Sequence, residues 1–323
     1  MPERFNGTKK IFLMMVVILL VGPLFLSSAR DRSNLMPIDS TSRITGLEGM
    51  HSKVQIDTLQ ARLKFLTSWK CAGRATGTEG ADVAANWIED HFQDIGLKIS
   101  NIKFNGGRNI MGLLDAGDSL PTIIVMAHYD GVGSLNGKLY PGADSNASGV
   151  VAMVSLAEML KAMQSYGKKM RTNILFVATD GKSNDMAGAK MLYAMTRSKD
   201  VPMVINIDQI GSSLSPIHEG KEDYLIMLSD QGVHRSILSR MNSKYGLNLD
   251  LGFDYYGSED FTKLFYRNLC EQKVFLDHGR KAVMFTSGIT MNNNKPSDTL
   301  ASLNLEVLKK RICLIFQWLN YQE

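Results

Sequence analysis

A run of short, almost wholly apolar stretches alternating with helical patterns constrains this chain most. TIIVMAHYD (122–130), NILFVATD (173–180), MVINID (203–208), YLIML (224–228) and KAVMFTS (281–287) have strand length and show no polar face until their last residues. Between or around them lie GVVAMVSLAEMLKAM (149–163), MAGAKMLYAM (186–195), a helical pattern over 233–245 and a closing one over 305–319. An earlier helix places Leu59, Leu63 and Leu66 on one face. Another carries Val83, Ala84, Trp87, Ile88 and Phe92 and stops at Gly96. A strand with no polar face must be covered on both sides. The pattern therefore predicts an α/β chain with a mostly parallel mixed sheet and helices on both faces, folded as a single globular domain over 55–323.

Ahead of that domain the pattern changes. Lys9 and Lys10 precede an apolar run from Ile11 to Leu26, broken by Gly22-Pro23 and followed by Ser27-Ser28-Ala29. The run is shorter than the roughly 20 residues of a comfortable span, and small residues after it suit a signal peptidase. A cleaved signal peptide over 1–29 and an uncleaved anchor both remain open. In either case the flanking lysines orient the remainder outward, to the periplasm, cell envelope or extracellular space. Residues 30–54, rich in Ser, Arg, Asp and Thr, read as a linker. The membrane is thus expected to be a partner only through the N-terminal segment. Net charge is +4, from 36 basic and 32 acidic residues, with no basic run, which argues against nucleic acid. Cys71, Cys270 and Cys313 lie far apart without CxxC spacing, so buried thiols are favoured over a zinc knuckle or a disulfide framework, although one pair could bridge.

The chemistry is expected at strand ends. His128 and Asp130 close the first apolar strand, Asp144 sits in GADSNASG before a helix, and Asp208 closes MVINID. In a doubly wound sheet such carboxyl ends lie along one edge, where their side chains converge. One His with two Asp suits zinc, and Asp130 is spaced to orient the imidazole of His128. Singly, the aspartates also suit caps and turns, and His128 a satisfied loop histidine.

With these residues in place, the chain resembles a known family. AHYDG, PGADSNASGVVAMVSLAEML, the strand with DGKSNDMAGAK, NIDQIG and NKPSDT, together with GRATGT, are similar in order and spacing to the dizinc aminopeptidases of metallopeptidase clan MH. Bacterial leucyl aminopeptidases belong to that clan, with glutaminyl cyclases as relatives. The resemblance runs from about residue 55 to the C-terminus. It implies a first ion held by His128, Asp144 and Asp208, with Asp144 as the bridging carboxylate. It also implies a second ion held by a Glu and a His, and a neighbouring Glu as general base. Here those last three positions read Ser183, Asn294 and Lys182.

These departures undercut the usual reaction. An ammonium cannot take a proton from water, and Ser and Asn are poor zinc ligands. Loss of a general base alone costs about a hundred- to ten-thousand-fold in rate. The resemblance then implies at most one zinc ion, and a Lys182 ammonium that fills the vacated space and pairs with Asp144, unless it simply points to solvent. The leading expectation is an exported pseudoenzyme that binds a peptide or peptide-like ligand in the former cleft. An active aminopeptidase with a rearranged site, glutaminyl cyclization and a structural envelope protein are the alternatives. Asp180 and Asp185 flank the altered pair, where a shifted loop could present one of them to a metal, and Asp185, Glu259, Asp260 and His278 are possible pocket residues.

Overall fold

A computed structural model describes residues 49–213, 223–230, 235–253 and 258–322. The apolar run at 11–26, most of the expected linker, and Tyr255 and Tyr256 lie outside the described residues. Among the described residues no helix is long and apolar enough to cross a membrane. Met50 and Val54, within the stretch expected to be linker, are buried in the core. The packed unit therefore starts earlier than the sequence pattern suggests.

The described helices are α1 (Ile56–Leu66), α2 (Glu79–Ile95), α3 (Ser148–Ser165), α4 (Ala187–Thr196), α5 (Arg235–Asn242), α6 (Glu259–Leu264), α7 (Lys273–Leu276) and α8 (Leu305–Gln322). The strands are β1 (Lys98–Phe104), β2 (Gly107–Leu114), β3 (Thr122–His128), β4 (Gly133–Leu135), β5 (Lys138–Tyr140), β6 (Asn173–Thr179), β7 (Val204–Ile207), β8 (Tyr224–Leu228), β9 (Asn248–Asp250) and β10 (Ala282–Thr286). Among the described residues the main sheet runs β1-β2-β6-β3-β7-β10-β8-β9, and β4-β5 is a separate hairpin. Its centre, β6-β3-β7-β10, is parallel, whereas β1, β2 and the β10-β8 pair introduce antiparallel neighbours. This is the mostly parallel mixed sheet that the apolar strands require. Every residue of β3, β6 and β7 is buried, as strands covered on both faces must be.

Local chemistry fixes the element ends. Thr78 caps α2, its hydroxyl accepting from the Ala81 N–H, and Gly96 closes the helix at φ 83°, where a Cβ would be strained. Between these ends Ala81, Ala84, Ala85, Ile88 and Phe92 form the buried stripe. Replacing Thr78 by Ala leaves one helix N–H without its acceptor. It should cost about 1 kcal/mol in chemical denaturation, with the activity or ligand binding of the centre unchanged.

Two features bring α3 against the sheet. A Cβ on Gly149 would stand 2.6 Å from the Ile207 carbonyl, so only glycine allows this approach. Asn146, just before the helix, donates to the carbonyls of His128 (3.3 Å) and Ile207 (2.9 Å), clamping the ends of β3 and β7 together. The buried Arg74 does the same for the loops. Its guanidinium donates to the carbonyls of Tyr129, Leu66, Pro141 and Gly142, at 2.5–2.8 Å. The Gly-Arg-Ala-Thr loop thus braces the loop after β3 against the loop that carries Asp144.

Candidate functional site

The parallel order β6-β3-β7 decides what meets at the strand ends. β3 lies between the other two, with His128 opposite Thr179 of β6 and Met126 opposite Asn206 of β7. Residues just past these ends therefore share one edge: His128 and Asp130 from β3, Lys182 from the loop after β6, and Asp208 from β7. Here the chain order reverses across the sheet, the place where open α/β sheets form their crevice.

At the centre is the ammonium of Lys182. Its Nζ donates to Asp208 Oδ2 at 2.5 Å and lies 3.1 Å from His128 Nε2. Asp208 Oδ1 is 3.4 Å from the same imidazole nitrogen. On the far side of the ring, His128 Nδ1 faces the Asp130 carbonyl at 3.1 Å and Asp130 Oδ1 at 3.4 Å. Asp130 thus meets the imidazole on its Nδ1 side. Its other oxygen receives the Ser183 hydroxyl at 3.3 Å.

The 3.1 Å contact holds a single hydrogen between two nitrogens. Burial works against the charge on Lys182, but Asp208 outweighs it and raises the amine's pKa. In that geometry the ammonium faces Nε2; burial and Lys182 oppose a charge on the His128 ring, whereas Asp208 and Asp130 favour it and push its pKa up to about 9. The same contacts hold Asp208 well below the usual carboxylate range despite its burial, chiefly through Lys182 and then His128. Asp130 is also lowered against its burial, by His128 and by the Lys182 backbone.

Asp144 does not join this pair. Its Oδ1 accepts from the N–H groups of Gly211 (2.7 Å) and Ser212 (3.1 Å) and from the Ser148 hydroxyl (3.1 Å). Its Oδ2 is buried with no hydrogen-bond partner among the described residues. The expected pairing of Lys182 with Asp144 is therefore corrected to Asp208. The backbone after β7 holds Asp144 through Oδ1, and the Lys182 ammonium reaches Asp208 Oδ2 instead. Burial, then the nearby Asp298, pushes Asp144 up to about 6. Asp298 in turn accepts from the N–H of Asp144 (2.8 Å) and of Ser145 (3.0 Å), so NKPSDT serves here to hold the Asp144 loop.

The remaining candidates separate. Ser183 turns onto Asp130, and Asn294 is exposed in a left-handed conformation. Asp180 is consumed by Thr76, Tyr129, and the N–H groups of Arg108 and Gly181. Asp185 and His278 do come together. They line a groove of about 490 Å³ with Met186, Tyr193 and Val274, in which the His278 ring stacks on Tyr193 at 3.9 Å. Asp185 pairs there with Lys190. Glu259 and Asp260 are not part of that groove; they are exposed in the first turn of α6, and Glu259 pairs with Lys263. Cys71, Cys270 and Cys313 are buried free thiols.

One member of the centre has no sequence signal. Glu271, between Cys270 and Gln272, is fully buried, accepts from the Thr179 hydroxyl at 3.0 Å and leaves Oε1 without a partner among the described residues. Its charge interacts with those of His128, Asp130 and Lys182. A lone acid in a short polar segment reads as a surface loop. Only tertiary structure carries it beneath the centre.

These side chains do not fit a zinc pair. The facing atoms of His128 and Asp208, two of the three donors implied for a first ion, are both engaged by an ammonium. The positions for a second ion hold Ser183 and Asn294, and among the described residues no three His, Cys, Asp or Glu side chains gather into a metal-holding group.

Comparison with known proteins gives a consistent picture. The model of Peptidase family M28 matches residues 109–311. The alkaline phosphatase isozyme conversion protein of Escherichia coli (strain K12) is 30% identical over 167 residues, covering 43% of this chain and 47% of that protein. The LapA aminopeptidase of Legionella pneumophila superposes with a TM-score of 0.70 at 15% identity, over 90% of this chain and 76% of that one. BSAP, a zinc aminopeptidase from Bacillus subtilis, superposes with a TM-score of 0.66 at 13% identity, over 83% and 95%. At such identities the solved structures share the fold. The chain spans about half or less of the length of the curated relatives it matches.

Proposed function

This chain belongs to peptidase family M28, and from that premise we propose that it is an exported member that binds a peptide or peptide-like ligand without hydrolysing it. One observation carries the reading: the Lys182 ammonium sits on Asp208 Oδ2 and His128 Nε2. Hydrolysis in such a site needs a base to take a proton from water and cations to steady the developing oxyanion. Lys182 stands at the base position as an acid, and it engages two of the three donors implied for the first ion, His128 and Asp208. At most one metal ion is compatible with what remains.

The groove lined by Asp185 and His278 supports a peptide-like ligand. Its lining includes Asp185, three residues after Lys182 in sequence, and Lys273, two after Glu271. Tyr193, Met186 and Val274 line it with apolar surface, alongside the Lys190–Asp185 and Lys273–Asp277 pairs and Asn268. That mixture suits a chain of alternating amides and side chains.

The test is metal content together with turnover. After dialysis the purified protein should hold fewer than two zinc ions per chain and should not release the chromophore from leucine p-nitroanilide. Tri- and tetrapeptides with free N-termini should raise its melting temperature. Two retained zinc ions with chelator-sensitive hydrolysis would establish a rearranged peptidase instead, and conversion of an N-terminal glutamine peptide would establish a cyclase.

A further inference from the structure

We propose that Lys182 is a tethered cation standing in for a metal ion between His128 and Asp208, and that removing its side chain opens a pocket for a free cation. The ligand class is a small cation, either zinc or a primary alkylammonium.

The centre is acidic and closed. His128, Asp130, Asp208 and Glu271 are all buried, and three of these are carboxyl groups. Buried negative charge requires a cation or a proton. Lys182 supplies it while only one-fifth exposed. Its loop is shaped for the delivery: Gly181, Asp185 and Met186 all take left-handed backbone angles, turning the chain sharply on both sides of the lysine.

Without the stem beyond Cβ, His128 Nε2 and Asp208 Oδ2 keep lone pairs directed at one shared space. An imidazole nitrogen and a carboxylate oxygen are zinc donors, and both also accept hydrogen bonds from an ammonium. Buried Glu271, whose Oε1 has no partner among the described residues, is a further carboxyl interacting electrostatically with His128 and Lys182. This inference rests on the placement of Lys182 used for the proposed function, and on nothing concerning hydrolysis or peptide binding.

The experiment compares the wild type, Lys182→Ala and Lys182→Met by thermal melting. Each is melted in chelator, with zinc, and with methylammonium chloride against potassium chloride at equal ionic strength. Lys182→Ala should melt below the wild type in chelator and recover with zinc, methylammonium or both, while the wild type does not shift. Recovery with one alone identifies the cation the pocket takes. Zinc should bind Lys182→Ala about tenfold or more tighter than the wild type. Adding His128→Ala to that variant should abolish the zinc response. Lys182→Met fills the space without charge, so it should melt low and respond to neither cation. The proposal is overturned if Lys182→Met melts with the wild type. It is equally overturned if Lys182→Ala stays unfolded with both cations, or responds to them no more than the wild type does. Peptide hydrolysis by the wild type would refute the proposed function and leave this result standing.

Discussion

Lys182→Ala is expected to destabilise the fold by about 3–5 kcal/mol at neutral pH, the usual cost of removing one partner from a buried ion pair. Little of that is the net value of the pair. It is mostly the penalty of leaving Asp208, which has no exposed surface, charged and without its counterion. A double-mutant cycle separates the two aspartates. Asp208→Asn removes the charge that Lys182 balances, so Lys182→Ala combined with it should lose clearly less than the sum of the single changes. The coupling expected for groups in direct contact is about 1–3 kcal/mol. Asp144→Asn combined with Lys182→Ala should be close to additive, because the hydrogen bonds of Asp144 go to Gly211, Ser212 and Ser148. Urea unfolding at pH 7 of the wild type and the five variants measures both couplings. Coupling to Asp144 and not to Asp208 would contradict the geometry.

That contrast also shows how far the amino-acid pattern could be read. His128 and Asp208 were legible because each ends an apolar strand, and strand ends on one sheet edge converge whatever the loops do. The type of partner for Lys182 was legible too, since an ammonium placed among aspartates finds a carboxylate. Which carboxylate was not. The answer depends on the chain after β7 folding back so that two of its N–H groups reach Asp144, and that turn is set by packing against α3 and by Arg311 holding the carbonyls of Ile210 and Ser212. Glu271 was illegible for a different reason. It lies 92 residues from Thr179, its hydrogen-bond partner, in a segment whose pattern gives no sign of burial. The edge strands β1 and β9 escaped notice because their residues are largely exposed or half-buried, so no apolar run marks them.

Glu271→Gln is expected to make the stability of the protein less dependent on pH, by about 3 kcal/mol between mildly acidic and mildly alkaline conditions. Burial pushes the Glu271 carboxyl up to about 7 from its ordinary 4.5. Asp130 adds to this, while His128, Lys182 and the Thr179 hydroxyl pull against it. A raised folded-state pKa means that the folded protein holds the proton more tightly than the unfolded chain. The contribution is therefore fully present below about 4.5 and is lost as pH rises through about 7. Asp144, raised to about 6, changes in the same sense, but equally in both proteins, so it cancels from the difference. Glutamine is uncharged throughout. Its carbonyl can still accept from Thr179, and its amide takes the place of an oxygen that has no partner among the described residues. At pH 5 the variant should match the wild type or fall slightly below it, since both then carry a neutral group. At pH 8 the wild type must bury a carboxylate beside Asp130, and the variant should be the more stable protein. Chemical denaturation at steps between pH 5 and pH 8.5 gives the difference directly. A difference that stays constant across that range would mean that Glu271 is ionised in both states, with Lys182 balancing Asp208 and Glu271 together.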